Sequence, residues 1–207
     1  AFYGDSKSFY TQKVDDALAE IDRLPGRHLY FLDDHLLGNP RFASELFEGM
    51  RGMGRVFQSA ATVASVLNGN LIEKAAEAGL RSLFLGLETF SPENLRSSNK
   101  LQNLSKDYVA AVERLHSLGI MINGSFVFGL DHDDKDVFRR TVDWGIEHSI
   151  TTATFHVLTP YPGTRLFQQM ERDGRITSYD WSKYDTRTVV YKTVGLTAEE
   201  LKQGYDW

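Results

Sequence analysis

Apolar residues recur along the chain with two periods, one typical of amphipathic helices and one typical of buried strands. Apolar positions three and four residues apart predict a first helix from Gln12 to Leu24. The short apolar run from His28 to Asp33 predicts a strand, and a second helical pattern extends from Arg41 to Arg51. These segments predict one strand–helix unit after an opening helix.

The same alternation of strand and helix continues to the end of the chain. The further predicted elements are strand Arg55 to Ala61, helix Leu71 to Ala78, strand Ser82 to Glu88, a short helix opened by Ser91-Pro92-Glu93, a helix capped by Ser105, strand Ile120 to Phe128, helix Asp136 to Glu147, strand Thr152 to Leu158, helix Arg165 to Arg172, strand Thr188 to Tyr191, and a last helix capped by Thr197 and Glu200. Short connections of this kind favour a parallel sheet. A complete eight-stranded β/α barrel usually needs about 250 residues. The pattern therefore predicts an α/β fold, a partial (β/α) TIM-like barrel of about five parallel strands.

Composition supports one folded domain. The 207 residues are 42% hydrophobic and 25% charged, which is enough apolar material for a core. No repeat, low-complexity run or change in composition marks a linker, so we predict a single domain over 1–207, with a core at 28–172 and a C-terminal extension at 173–207. No stretch approaches the roughly 20 apolar residues of a membrane span, and no signal region opens the chain. We therefore expect a soluble, cytoplasmic protein.

Charge and cysteine content exclude several classes of function. The net charge of −5 lacks the basic excess that binding to nucleic acid phosphates requires, so no nucleic acid partner is expected. The chain contains no cysteine. Disulfides, thiol catalysis and cysteine-ligated zinc or iron–sulfur sites are therefore excluded within these residues. No residue is assigned as catalytic from the sequence.

Carboxylates follow two of the predicted strands, and a β/α barrel places the carboxyl ends of its strands on one face. Asp33 and Asp34 end the first strand, where they either bond loop and helix amides or bind a cation or an amine. Glu88 leaves the buried run Leu83 to Leu87, so its carboxylate must be paired or hydrogen-bonded. A structural bond to backbone or arginine is one role for Glu88. Ligand binding is favoured, because a carboxylate can accept two bonds from the hydroxyl pair of a ribose.

Other residues near the predicted strand ends have structural explanations as well. Gly129 and Gly163 either supply turn geometry or let a flat ring approach the backbone closely. Phe126, Val127 and Phe128 are more typical of a core than of a cofactor wall. His156 is interpreted as a core residue rather than a ligand, and the acidic run Asp131 to Asp136 as a solvated loop and helix start.

Five segments occur in a fixed order and spacing that resembles the radical S-adenosylmethionine (SAM) superfamily. They are Phe2-Tyr3-Gly4, Phe31-Leu32-Asp33-Asp34, Gly86-Leu87-Glu88-Thr89, Phe128-Gly129-Leu130-Asp131 and Thr159-Pro160-Tyr161-Pro162-Gly163-Thr164. The chain looks closest to members that carry an N-terminal cobalamin-binding domain. The resemblance covers almost the whole chain, including Asp180 to Asp185.

The resemblance implies that part of the family's core lies upstream of Ala1. In the family, a C-x-x-x-C-x-x-C motif for a [4Fe-4S] cluster precedes a segment like Phe2-Tyr3-Gly4. The first barrel strand, the cluster loop and any cobalamin domain would then be absent here, and His28 to Asp33 would be the family's second strand. We expect no reductive cleavage of SAM by these residues alone. We also expect self-association through the open, apolar edge of that strand.

Site residues carried over from the family are expectations that rest on the resemblance. Asp33 and Asp34 correspond to the position near the methionine part of SAM, although many relatives have a glycine-rich motif there. Glu88 corresponds to an acidic position that meets the ribose or the methionine end. The segments Phe128-Gly129 and Leu158-Thr159 correspond to backbone that flanks adenine. In the intact enzyme, cluster-bound SAM would yield a 5′-deoxyadenosyl radical that abstracts hydrogen from a small-molecule substrate, with cobalamin-dependent methyl transfer as one outcome.

Two other functions remain open from the sequence. One is a divalent-metal barrel enzyme, an aldolase or a hydrolase, that uses Asp33, Asp34, Glu88 and His156 as ligands. The other is a non-catalytic module that binds a nucleoside or a protein.

Overall fold

The computed structural model describes residues 11–97 and 105–207, so the segment Phe2-Tyr3-Gly4 lies outside the described residues. Five strands form one sheet in the order of the chain: β1 His28–Tyr30, β2 Val56–Thr62, β3 Leu80–Glu88, β4 Met121–Phe128 and β5 Thr152–Val157. Every neighbouring pair is parallel. The sheet curls into a half-barrel, which confirms the predicted partial barrel.

Helices connect the strands and cover one face of the sheet. They are α1 Val14–Arg23, α2 Pro40–Met50, α3 Val63–Leu67, α4 Leu71–Ala78, α5 Pro92–Ser97, α6 Ser105–Ser117, α7 Val137–Glu147, α8 Arg165–Arg172 and α9 Ala198–Asp206, with short 3₁₀ helices at Leu36–Gly38 and Trp181–Lys183. No helix in the described part of the chain is long and apolar enough to cross a membrane.

Alternation along each strand separates two faces of the sheet. Leu83, Leu85 and Leu87 of β3 are fully buried and join the main core with residues of α2, α4 and α6. The ring of Phe126 in β4 stacks on Phe155 in β5 on the same side, with 5.6 Å between ring centroids. The intervening residues therefore face the other side, called here the concave face.

Local chemistry explains where individual helices begin and end. Asn39 caps α2 by accepting a bond from the amide of Phe42 at 3.2 Å. Gly79 ends α4 with a φ of +115°, and a Cβ there would lie 2.0 Å from the carbonyl oxygen of Arg55. Only glycine satisfies both conditions, so this stop allows β3 to start beside β2.

Two predicted strands differ from the structure. β1 ends at Tyr30 rather than Asp33, although the amide of Phe31 still bonds the carbonyl of Gln58 at 3.0 Å. The predicted strand Thr188 to Tyr191 is wrong, because only an isolated antiparallel bridge between Ile176 and Tyr191 forms there. The sequence also did not predict α3, whose five residues follow β2 directly.

The C-terminal extension packs against the carboxyl ends of β4 and β5. Leu196 and Leu201 join a cluster with Phe128, Phe138 and Val157. Residues after position 172 therefore complete the packing around the strand ends that carry the predicted site.

Candidate functional site

The predicted site residues lie at the same edge of the sheet, because all five strands are parallel. Asp33 and Asp34 follow β1, and Glu88 is the last residue of β3. Gly129 follows β4, and Leu158-Thr159 follows β5. The structure thus brings segments that are distant in sequence to one rim of the half-barrel.

Glu88 has an unusual backbone for a residue with a side chain. Its φ is +61°, in the left-handed region, and the β3–β4 register shifts between Gly86 and Glu88. A carboxylate oxygen of Glu88 lies 3.6 Å from the point that a Cβ on Gly86 would occupy. The half-buried carboxylate therefore lies over Gly86, on the concave face. Strained backbone of this kind costs about 1–3 kcal/mol and concentrates at functional sites.

A row of small and hydroxyl-bearing residues crosses the concave face below this rim. Strand register places Thr62, Gly86, Ser125 and Thr154 side by side on β2 to β5. The hydroxyl of Thr154 donates to the amide oxygen of Asn123 at 3.0 Å. This row was not predicted from the sequence. Strand alternation could have found Ser125 and Thr154, since they lie an even number of positions from Val127 and His156.

Gly129 has a structural reason to be glycine. Its φ is +92°, and a Cβ there would lie 2.3 Å from the hydroxyl oxygen of Tyr191 and 2.7 Å from Leu201. Its carbonyl accepts a bond from the Tyr191 hydroxyl at 2.5 Å, and its amide donates to Asp133 at 2.8 Å. Both polar backbone groups and the Cβ side of Gly129 are therefore occupied by protein.

The two segments predicted to flank adenine are joined by backbone. The amide of Leu158 donates to the carbonyl of Phe128 at 2.8 Å, and the hydroxyl of Thr159 donates to the carbonyl of Val157 at 3.0 Å. The ring of Phe128 is buried among Phe138 and Phe155 on the helical side. The side chain of Phe128 therefore faces the helices and not the concave face.

Asp33 and Asp34 are exposed beyond the end of β1. Asp33, Phe31 and His35 line a cavity of about 150 Å³ between this loop and helices α1 and α2. Burial lowers the pKa of His35 below its ordinary value. The pair thus lies at the β1 end of the rim, next to a pocket of its own.

The interpretation of Asp131 to Asp136 as a solvated loop is wrong for Asp133. Asp133 is 2% exposed and accepts bonds from the amides of Gly129 and Leu130 and from the side chain of Asn94. Asp131 forms a two-pronged ion pair with Arg175, with contacts of 2.6 and 2.9 Å. Asp133 therefore stabilises the loop after β4 from inside the protein, and the partly exposed Asp131 joins this loop to Arg175.

His156 lies on the concave face of β5, in register with Val127 of β4. Its Nδ1 lies 3.2 Å from the hydroxyl oxygen of Thr186. Burial lowers the pKa of His156 below its ordinary value. The interpretation of His156 as a satisfied core residue therefore explains the hydrogen bond at Nδ1.

A divalent-metal site would require convergence of Asp33, Asp34, Glu88 and His156. Across residues 11–97 and 105–207, no group of three or more histidine and acidic side chains is placed to hold a metal ion. The described residues therefore do not bring these four side chains together as a ligand set.

Comparison with known proteins identifies sequence relatives. The Radical SAM superfamily model matches residues 1–145. Bacteriochlorophyllide d C-12(1)-methyltransferase of Chlorobaculum tepidum is 32% identical over 205 residues, which cover 96% of this chain and 44% of that protein. The chain thus spans less than half the length of this relative.

Two solved structures with the same fold contain a bound SAM analogue or a bound cobalamin. The radical SAM methyltransferase TsrM from Kitasatospora setae, with tryptophan substrate and aza-SAM bound, superposes with a TM-score of 0.70 at 15% identity, covering 78% of this chain and 33% of that one. The cobalamin-dependent SAM radical enzyme OxsB, with aqua-cobalamin bound, gives a TM-score of 0.64 at 17% identity, covering 94% and 35%. At these identities the likeness establishes the fold.

Proposed function

Because the chain belongs to the radical SAM superfamily, we propose that its half-barrel binds the nucleoside part of SAM at the carboxyl ends of the strands. The whole protein would be an enzyme that transfers a methyl group with cobalamin as a further cofactor. The methyltransferase relative supports methyl transfer. The aqua-cobalamin bound in the OxsB structure supports cobalamin as a cofactor.

The observation that carries the proposal is the carboxylate of Glu88, a residue whose backbone is strained. Glu88 holds a φ of +61° where glycine would cost less, and its carboxylate lies above the concave face. A carboxylate accepts two hydrogen bonds side by side, which matches the 2′- and 3′-hydroxyls of a ribose. Binding of those hydroxyls would explain why the strained position carries a glutamate.

The other rim residues would hold the two ends of the same molecule. Asp33 and Asp34, at the β1 end, would meet the ammonium of the methionine part through charge. The backbone of Phe128-Gly129 and Leu158-Thr159 would form the wall beside adenine. Asp133 accepts a bond from the amide of Gly129, and Tyr191 donates one to its carbonyl. These bonds would hold the wall in place before a ligand binds.

The residues of this chain do not fit an iron–sulfur cluster, because none of the 207 is a cysteine. We therefore assign the cluster of the whole enzyme to residues outside this sequence. The contribution of this chain is to bind SAM, to orient its ribose and adenine, and to exclude water from the concave face.

A titration with S-adenosylhomocysteine tests this role without requiring the cluster. Isothermal calorimetry of the wild-type chain should detect binding, and Glu88→Gln should weaken it by about 10- to 100-fold, the usual cost of losing hydrogen bonds to a charged group. Glu113→Gln is the matched control, because Glu113 is an exposed residue of α6. Equal affinity in the wild type and Glu88→Gln, or no binding to the wild type, would contradict the proposal.

A further inference from the structure

Two strained residues flank the concave face near its rim. The described residues outside glycine with positive φ are Glu88, Ser149 and Thr186, at 61°, 53° and 63°. Ser149 precedes β5 at the opposite end of the sheet. Thr186 contacts His156, an inward residue of β5. A β-branched residue in the left-handed region is a pronounced outlier, and such outliers mark functional positions.

The turn around Thr186 is built to hold that conformation. Asp185 accepts bonds from the amides of Arg187 and Thr188 at 2.9 and 2.8 Å. The carbonyl of Thr186 accepts a bond from the amide of Val157 at 2.7 Å, which ties the turn to β5. The strained conformation of Thr186 therefore places its hydroxyl within hydrogen-bond distance of Nδ1 of His156.

The second ring nitrogen of His156 has a different environment. Within the described residues, Nε2 has no hydrogen-bond partner and is not fully buried. The half-buried ring of His156 therefore keeps one polar atom available on the concave face. His156 lies two residues before Leu158, and alternate residues of a strand face the same side of the sheet. Its side chain is therefore the first on the concave face of β5 below the rim.

We propose that His156 is a substrate-facing hydrogen-bonding group of the half-barrel, and that Thr186 is its positioning residue. By bonding Nδ1, Thr186 fixes the orientation of the imidazole ring, so Nε2 is held toward the molecule that enters below the rim. Because a hydroxyl both donates and accepts, this bond forms with either tautomer of His156. The inference rests on the proposed function in one respect, that SAM occupies the rim and leaves this level for a second molecule. Neither the fold nor the packing of β5 requires a histidine at an open position.

Nuclear magnetic resonance of the imidazole tests the positioning role in the free protein. At pH 7.5, ¹³C relaxation at the ring carbons of His156, assigned with His156→Gln, should show a rigid ring with an order parameter of about 0.85. Thr186→Ser should keep this value, and Thr186→Val should lower it toward about 0.6, the range of flexible groups. An equally rigid ring in Thr186→Val would overturn the role of Thr186.

Chemical modification and ligand binding test the direction of Nε2. Diethyl pyrocarbonate should modify His156 at a rate comparable with that of exposed His132, as read by peptide mass spectrometry. A His156 that stays unmodified while His132 reacts would overturn the proposal. His156→Gln should leave the affinity for S-adenosylhomocysteine within about twofold, well below the cost of losing a hydrogen bond. A larger loss of affinity would place His156 in the nucleoside site and overturn its substrate-facing role. If the wild type does not bind S-adenosylhomocysteine, the proposed function is contradicted. The two measurements on the free protein then decide the role of His156.

Discussion

The side chain of Asn94, in α5, donates to the carboxylate of Asp133, after β4, at 2.8 Å. The other oxygen of Asp133 accepts bonds from the amides of Gly129 and Leu130 at 2.8 and 3.0 Å. Asn94 also accepts a bond from the amide of His132 at 3.0 Å. Two buried side chains thus join the segment that follows Glu88 to the loop that begins with Gly129.

Exchanging the two members of this pair should separate geometry from charge. Asp133→Asn places an NH₂ group against donors, so it should lower the free energy of unfolding by about 1–3 kcal/mol. The double variant Asn94→Asp with Asp133→Asn keeps every bond with the donor reversed, and should recover most of the loss. Urea unfolding measures both variants. No recovery in the double variant would contradict this account of the pair.

Asp133 should also make stability depend on pH. Burial raises the pKa of Asp133 to about 6, from 3.8, against the opposing bonds from Gly129, Leu130 and Asn94. Between those values the folded state binds more protons than the unfolded state, so stability from this group is fully present below about pH 4 and is lost as pH rises through 6. Relative to Asp133→Asn, the wild type should lose about 2–3 kcal/mol between pH 4 and pH 7. Thermal or urea unfolding of both proteins across this pH range measures the change. A stability of the wild type, relative to Asp133→Asn, that rises with pH would contradict the prediction.

Two glycines with similar φ provide a matched test of packing at the rim. Gly129 and Gly163 have φ of +92° and +83°, but a Cβ would clash with Tyr191 and Leu201 only at Gly129, whereas nothing lies within 4 Å at Gly163. Gly163→Ala should cost about 1–2 kcal/mol, the penalty of the left-handed region. Gly129→Ala should cost a further 1–3 kcal/mol, roughly, for overpacking. Equal losses in urea unfolding would show that the rim relaxes freely around Gly129.

Strain at Glu88 should appear as a difference between two variants that both remove the carboxylate. Glu88→Gly relieves the left-handed backbone, and Glu88→Ala does not. The glycine variant should therefore be more stable than the alanine variant by about 1 kcal/mol. Both should lose S-adenosylhomocysteine binding to the same extent. An alanine variant as stable as the glycine variant would remove the argument from strain.

The sheet edge at β1 should promote self-association. Within the described residues β1 pairs only with β2, and Tyr30 and Leu32 are 59% and 82% exposed. An uncovered apolar edge pairs with other chains, and a lysine at the edge opposes such pairing. Light scattering should show mass rising with concentration in the wild type and in Met121→Lys, and a constant monomer mass in Tyr30→Lys. A wild-type chain that stays monomeric at all concentrations would contradict the prediction.

Local signals predicted the helices well. The bounds of α4, Leu71–Ala78, and α8, Arg165–Arg172, agree with the sequence prediction, because a glycine stops each helix soon after its last turn. The capping box of Thr197 and Glu200 also forms as predicted at the start of α9. These features depend on neighbours within four residues, which the sequence displays directly.

Features that depend on distant partners were not predictable in the same way. The strand expected at Thr188 to Tyr191 fails because Asp185 takes the amides of Arg187 and Thr188, and a side chain that bonds the backbone competes with a sheet ladder. Burial of Asp133 depends on Asn94, which lies 39 positions earlier in the chain. The strain at Glu88 follows from a register shift against β4 and has no local signature.

A crystal structure of the chain with S-adenosylhomocysteine would show directly whether Glu88 binds the ribose. We expect density for the ribose at the end of β3, with both hydroxyls within hydrogen-bond distance of the Glu88 carboxylate, and adenine beside Gly129 and Leu158. Ribose density away from Glu88, with the Glu88 backbone still at positive φ, would contradict this role of Glu88.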